Sequence, residues 1–112
     1  MDLRGRVALV TGAGRRLGRA LAAALAGRGM TLAIHHHASS AGANELREEI
    51  VAVGGRAVCF DADLADAHAA RALPARVVTE FGQLDVLVNS AAVMRRLGFE
   101  ETTPARSARF TT

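Results

Sequence analysis

Residues 6–20 read Arg-Val-Ala-Leu-Val-Thr-Gly-Ala-Gly-Arg-Arg-Leu-Gly-Arg-Ala, an apolar strand-like run that breaks into a glycine-rich turn and then opens a helix. This order restricts the chain to an α/β layout with a phosphate cradle at the end of its first strand. Gly12 and Gly14 lack Cβ atoms, so the backbone can turn sharply and lie close to a diphosphate, while Gly18 lets the helix pack tightly on the strand. The free N–H groups of the helix's first turn then point at the anion.

Absences narrow the chemistry further. The chain has no tyrosine, and all 14 of its Lys+Arg residues are arginine. A GxxxxGK[ST] phosphate loop is excluded, because it needs a lysine to reach the phosphates. With 112 residues and 50% hydrophobic content, one soluble domain with a genuine core is expected. Arg19 and Arg28 interrupt the apolar stretches too early for a membrane span, and no signal-peptide core is present, so a cytoplasmic location is expected. Cys59 permits no internal disulfide and, beside Phe60, reads as a structural thiol.

The pI near 10.9 raises the question of nucleic acid. Residues 1–28 hold six arginines against Asp2, residues 29–92 four against eight carboxylates, and residues 93–112 four against two. The positive charge thus gathers at the glycine turn and in the tail, without interleaved aromatics on which bases would stack, so no nucleic-acid partner is expected.

Strand-like runs at 6–10, 30–35, 56–61 and 84–89 alternate with helical ones, a βα repeat. The first helix carries Leu17, Leu21 and Leu25 with small alanines between, and Gly27 or Gly29 can close it. The second starts after Ser39 or Ser40, presents Leu46, Ile50 and Val53 on one face, and stops at Gly54-Gly55. The third is expected from an Asp66 N-cap to Gly82, with a kink or restart at Pro74. Residues 84–89 read as a central parallel strand. The expected fold is a Rossmann-type doubly wound parallel sheet cut off after about four strands, in the order 3-2-1-4. Residues 1–92 form the dinucleotide-binding half and residues 93–112 an irregular tail, in which Thr103-Pro104 could cap a helix and Phe110 is the last large apolar anchor.

Val-Thr-Gly-x-x-x-x-Leu-Gly at 10–18, Asp-Ala-Asp-Leu at 61–64 and Leu-Asp-Val-Leu-Val-Asn-Ser-Ala at 84–91 together resemble the short-chain dehydrogenase/reductase family over residues 4–103. Within it, Arg15-Arg16 and the run at 34–40 are most similar to the pteridine-reductase-like and 3-oxoacyl-reductase-like branch. The resemblance implies that Gly12, Gly14, Arg15, Arg16, Leu17 and Gly18 surround the pyrophosphate and adenosine phosphate. It puts Asp63 and Leu64 at the adenine, and Asn89, Ser90 and Ala91 beside the ribose. Arg16 replaces the family's usual glycine, Ser90 a common asparagine, and Ala92 a common glycine. Two structural readings stay open beside these: Asp63 as the cap of the turn after the third strand, and Asn89 as a tie between strands.

An NAD site needs a carboxylate about 20 residues after the glycine turn to bind the ribose 2′-hydroxyl. No Asp or Glu occurs between Arg19 and Asn44, which also disfavours an S-adenosylmethionine site. His36, His37 and Ser39 stand there instead, with Arg15 and Arg16 nearby to bind a 2′-phosphate, so NADP(H) is the expected cofactor in preference to NAD(H). Three consecutive histidines on a strand point to alternate sides, so no metal site is expected.

In the resembled family, reduction relies on a Tyr-x-x-x-Lys pair and an upstream serine, and these 112 residues contain neither Tyr nor Lys. The chain is therefore expected to be the NADP(H)-binding portion of an oxidoreductase acting on a carbonyl or pterin-like substrate, as a truncated or frame-shifted product. A stand-alone nucleotide-binding or regulatory module without turnover is the alternative. Either way, the run at 84–89 is expected to present an open sheet edge and to drive self-association.

Overall fold

Val7–Thr11 forms β1, a run of Val-Ala-Leu-Val-Thr whose five residues are all buried. Branched side chains suit a pleated surface, and burial of both faces marks a strand sandwiched between helices. The computed structural model describes residues 2–14, 16–38 and 40–90. After β1 come α1 (Arg16–Gly27), β2 (Thr31–His36), α2 (Ala41–Ala52), β3 (Ala57–Asp61), α3 (Ala67–Phe81) and β4 (Val86–Asn89). The strands are parallel and ordered β3-β2-β1-β4, the Rossmann-type arrangement expected from the sequence.

Strand alternation divides the core in two. Ala8 and Val10 of β1, Leu32 and Ile34 of β2, and Val86 and Val88 of β4 face α1 and α2, meeting Ala22, Ala43, Leu46 and Ile50. Val7, Leu9, Ala33 and Phe60 face the other way and meet Leu73 and Val77 of α3. Each fully buried Leu or Ile contributes about 1.5–3 kcal/mol of transfer free energy, so these two layers hold the sheet.

Several local expectations need correction. All four strands start one or two residues later than the apolar runs suggest, because the first residues of each run lie before the ladder. On α1 the buried residues are Gly18 and Ala22, with Leu21 and Leu25 flanking the core: the small side chains let the helix axis approach the sheet. Val53 lies past the end of α2 and is 84% exposed rather than on the buried face. Helix α3 runs from its Asp66 N-cap to a left-handed Gly82 as expected, and as one helix through Pro74, without the restart that was one of the two expectations there. The irregular tail at 93–112 and the helix start at Thr103-Pro104 lie outside the described residues.

Candidate functional site

The carboxyl ends of the four strands meet at the glycine turn. Gly12 follows β1 with φ +64°, a conformation that side chains resist. Gly18, in the first turn of α1, is buried, and a Cβ there would stand 2.3 Å from the Gly12 carbonyl oxygen and 2.6 Å from Ser90 Oγ. Helix α1 therefore sits directly on the turn. Ser90 is fully buried, its hydroxyl donating to the Thr11 carbonyl, and Thr11 Oγ1 donates to Asn89 Oδ1 at 2.9 Å. These bonds tie β1 to β4, so the strand-tying reading of Asn89 describes what its side chain does.

Helix α2 closes on the turn from the other side. A Cβ on Gly42 would lie 2.4 Å from the Gly14 carbonyl oxygen, and one on Gly14 would lie 3.1 Å from the Ala43 amide nitrogen. The N-cap of α2, Ser40, makes no side-chain capping bond. Two helix amino ends, each rich in N–H groups, thus border the turn.

His35, which the sequence reading passed over in favour of its neighbours, is the hub of this edge. It is 3% exposed and lies on the α3 side of β2, as strand alternation from Ala33 requires. The Gly12 amide donates to its Nδ1 at 3.0 Å, and its Nε2 stands 2.8 Å from the Ala62 carbonyl oxygen. An amide can only donate and a carbonyl can only accept, which assigns the ring as the neutral Nε2–H tautomer. Burial holds its pKa below the ordinary imidazole value, partly offset by the bond to Ala62. The backbone reinforces the link: Ala13 N–H donates to the His35 carbonyl at 3.0 Å, and Ala62 N–H to that of His36 at 3.1 Å.

The remaining predicted residues lie around this hub. His36 Nδ1 is buried and has no hydrogen-bond partner among the described residues. His37 is half-exposed between Asp61, 3.7 Å from its Nδ1, and Asp63, 3.9 Å from its Nε2. Asp63 also accepts from the Ala65 amide at 2.9 Å, which is the turn-capping reading, and Leu64 packs against the α3 side of the core. Arg16 opens α1 in an exposed position and Leu17 is partly buried. By contrast, Arg19 is committed to Glu45 at 2.8 Å and Glu49 at 2.6 Å, joining α1 to α2. Arg15, Ser39 and Ala91 lie outside the described residues. Besides His35, whose signal was the run of three histidines, Thr11, Gly42 and Ala62 were not among the expected site residues; Thr11 and Ala62 lie inside the motifs at 10–18 and 61–64, whereas Gly42 carries no signal.

A cavity of about 490 Å³ occupies the opposite end of the sheet, between Met30, Leu46, Ile50 and Val53. Its walls are mostly apolar side chains and glycine backbone; of its charged residues, Glu49 already pairs with Arg19 and Arg56 lies over the Phe81 ring. Polar groups converge at the glycine turn instead, which makes that edge the candidate site. No described helix is long and apolar enough to cross a membrane.

Comparison with known proteins agrees with this architecture. The short chain dehydrogenase family matches residues 6–111. An uncharacterized oxidoreductase of Methylorubrum extorquens is 44% identical over 101 residues, covering 90% of this chain and 41% of the relative. A 3-oxoacyl-[acyl-carrier-protein] reductase of Synechocystis is 41% identical over 93 residues, covering 83% of this chain and 38% of the relative. The crystal structure of a short chain dehydrogenase from Burkholderia cenocepacia in complex with NADP superposes with a TM-score of 0.75 at 43% identity, over 80% of this chain and 36% of that one. The chain thus spans about two fifths of the length of these curated relatives. With the glycine turn, the strand order and a match over nearly all its residues, this chain belongs to the short chain dehydrogenase family.

Proposed function

We propose that the chain is the dinucleotide-binding portion of a short-chain dehydrogenase/reductase-type oxidoreductase, taking NADP(H) in preference to NAD(H), with a carbonyl or pterin-like substrate for the whole protein. The observation that carries this reading is the glycine turn, against which α1 packs so closely at Gly18 that a Cβ would collide with the Gly12 carbonyl, and which is bordered by the amino ends of α1 and α2. Such an edge fits a diphosphate. The bound nicotinamide would supply or accept the hydride.

Preference for the 2′-phosphate is supported by what ends β2. An NAD site places a carboxylate there; this chain places His36 and His37, and the first acid after Arg19 is Glu45. Arg16, His37 and the uncapped α2 terminus offer positive charge or N–H groups to a phosphate, and the orphaned His36 Nδ1 offers a further polar contact. Asp61 and Asp63 work against an anion, and His37 stands between them, 3.7 and 3.9 Å from their carboxylates.

Titration calorimetry with NADP⁺ and NAD⁺ tests the reading. Losing one charged hydrogen bond costs about 1.5–3 kcal/mol, roughly 10- to 150-fold in affinity. The expected result is tighter binding of NADP⁺ and a preference mostly erased by Arg16→Ala; equal affinities in the unsubstituted chain refute it. We also propose that the chain self-associates through the outer edge of β4, which among the described residues has β1 as its one strand neighbour.

A further inference from the structure

We infer that His35 is a positioning residue for the glycine turn: its neutral imidazole accepts from the Gly12 amide and holds the turn in the shape that receives a diphosphate, and protonation releases it. The inference rests on the dinucleotide reading for its ligand, but its geometry stands independently. Gly12 N–H faces Nδ1 at 3.0 Å and Ala62 O faces Nε2 at 2.8 Å, so one ring bridges the turn after β1 to the loop after β3. A protonated ring carries N–H groups on both nitrogens. Its Nδ1–H would then confront the Gly12 N–H, two donors face to face in a buried place, while the Ala62 contact survives.

The charged surroundings do not rescue the protonated form. His36 beside it on β2 and His37 just past the strand end both oppose a positive charge on the His35 ring. From β3 comes Asp61, which favours one, and Asp63 follows in the next loop beside His37. β1 contributes no titratable side chain, and Arg16 stands at the start of α1. Burial outweighs the rest and keeps the ring neutral at pH 7. The sign follows: a proton binds only below the ordinary imidazole value of 6.5, so the latch is closed above that pH and opens as pH falls.

Nuclear magnetic resonance on the ¹⁵N-labelled chain tests the latch without a ligand. An Nε2–H tautomer is expected at about pH 7.5, with the Gly12 amide resonance following the His35 ring as it titrates below about pH 6.5. His35→Asn keeps an acceptor near the Nδ1 position that cannot titrate, so its Gly12 amide should not move. Calorimetry with both NADP⁺ and NAD⁺ then reads the consequence. As pH falls from about 7.5 through the range in which the Gly12 amide follows the ring, the unsubstituted chain should lose affinity for each, approaching about tenfold, the size of one lost hydrogen bond, once the ring is protonated, and the Asn variant less than about twofold. NAD⁺ carries no 2′-phosphate, so a loss common to both cofactors cannot come from that group's own titration. An Nδ1–H tautomer, a Gly12 amide indifferent to the ring, or the same binding profile in both proteins overturns the inference. Should the Asn variant not fold, the titration of the unsubstituted chain decides. Binding of neither cofactor at about pH 7.5 would sink the dinucleotide reading, and the assignment of His35 would then stand or fall on the Gly12 titration.

Discussion

The Asp85 carboxylate accepts from the Val7 amide at 2.8 Å and from Gln83 Nε2 at 2.7 Å, with Arg6 at 3.4 Å. Those contacts, the Val7 bond first, hold its pKa below the usual carboxylate value. A carboxyl whose folded-state pKa lies below its unfolded one binds fewer protons when folded. Its stabilisation is therefore complete above the unfolded value, about 3.9, and fades as pH falls through the folded one. Asp85→Asn should thus lower the melting temperature at neutral pH, and the gap to the unsubstituted chain should narrow below about pH 4. Thermal unfolding followed by circular dichroism across that range is the check, and a gap independent of pH would refute the assignment. The sequence carries no local signal for this role, because the contact with Val7 at the start of β1 is made across 78 residues. His35 was hidden for the same reason, since its value lies in partners 23 and 27 residues away. Gly42 gave no local signal, because the close approach that requires it is made by Gly14 in another loop. The glycines of the turn were legible, because their pattern is set within one strand–helix junction.

At the scale of elements, what was legible is what neighbours in sequence decide. The caps of α3 are of this kind: Asp66 accepts from His68 at 2.9 Å, and Gly82 takes φ +84°. Which row of α1 touches the sheet was not decided locally, because rows 17-21-25 and 18-22 are adjacent on the helix. Proximity to the sheet selects the smaller side chains, Gly18 and Ala22. The proline in α3 is the sharpest case. Proline removes one intrahelical N–H donor and crowds the preceding turn, yet Leu73 and Val77 are buried on either side of Pro74 and hold the helix through it. Pro74→Ala should therefore stabilise the chain by about 2 kcal/mol: roughly 3 from restoring helix geometry, less about 1 for the freer unfolded chain. Urea unfolding measures this directly. A net loss of stability would mean that Pro74 supplies packing its helical cost conceals.

The order β3-β2-β1-β4 leaves the described sheet with two outer strands of unlike character. Beside β3, the Arg56 guanidinium lies 4.8 Å from the centre of the Phe81 ring and that of Arg76 5.5 Å from Phe60, while Arg76 also donates to the Asp61 carbonyl at 2.9 Å. Fixed charges of this sort discourage another strand from pairing. β4 has no such dressing among the described residues. Val86, Leu87 and Val88 are apolar with high β propensity, and the nearest charge, Asp85, is engaged with Val7 and Gln83. An apolar strand with one neighbour is a template for a second copy of itself, so the chain should associate through β4 as concentration rises. Multi-angle light scattering across a dilution series measures the association, and hydrogen exchange compared at the two ends of the series locates it. The amides of residues 86–88 should gain protection in the associated form while those of 57–60 on β3 do not. A monomer at every concentration, or an oligomer whose β4 amides exchange as they do in the monomer, would show that this edge is not the contact.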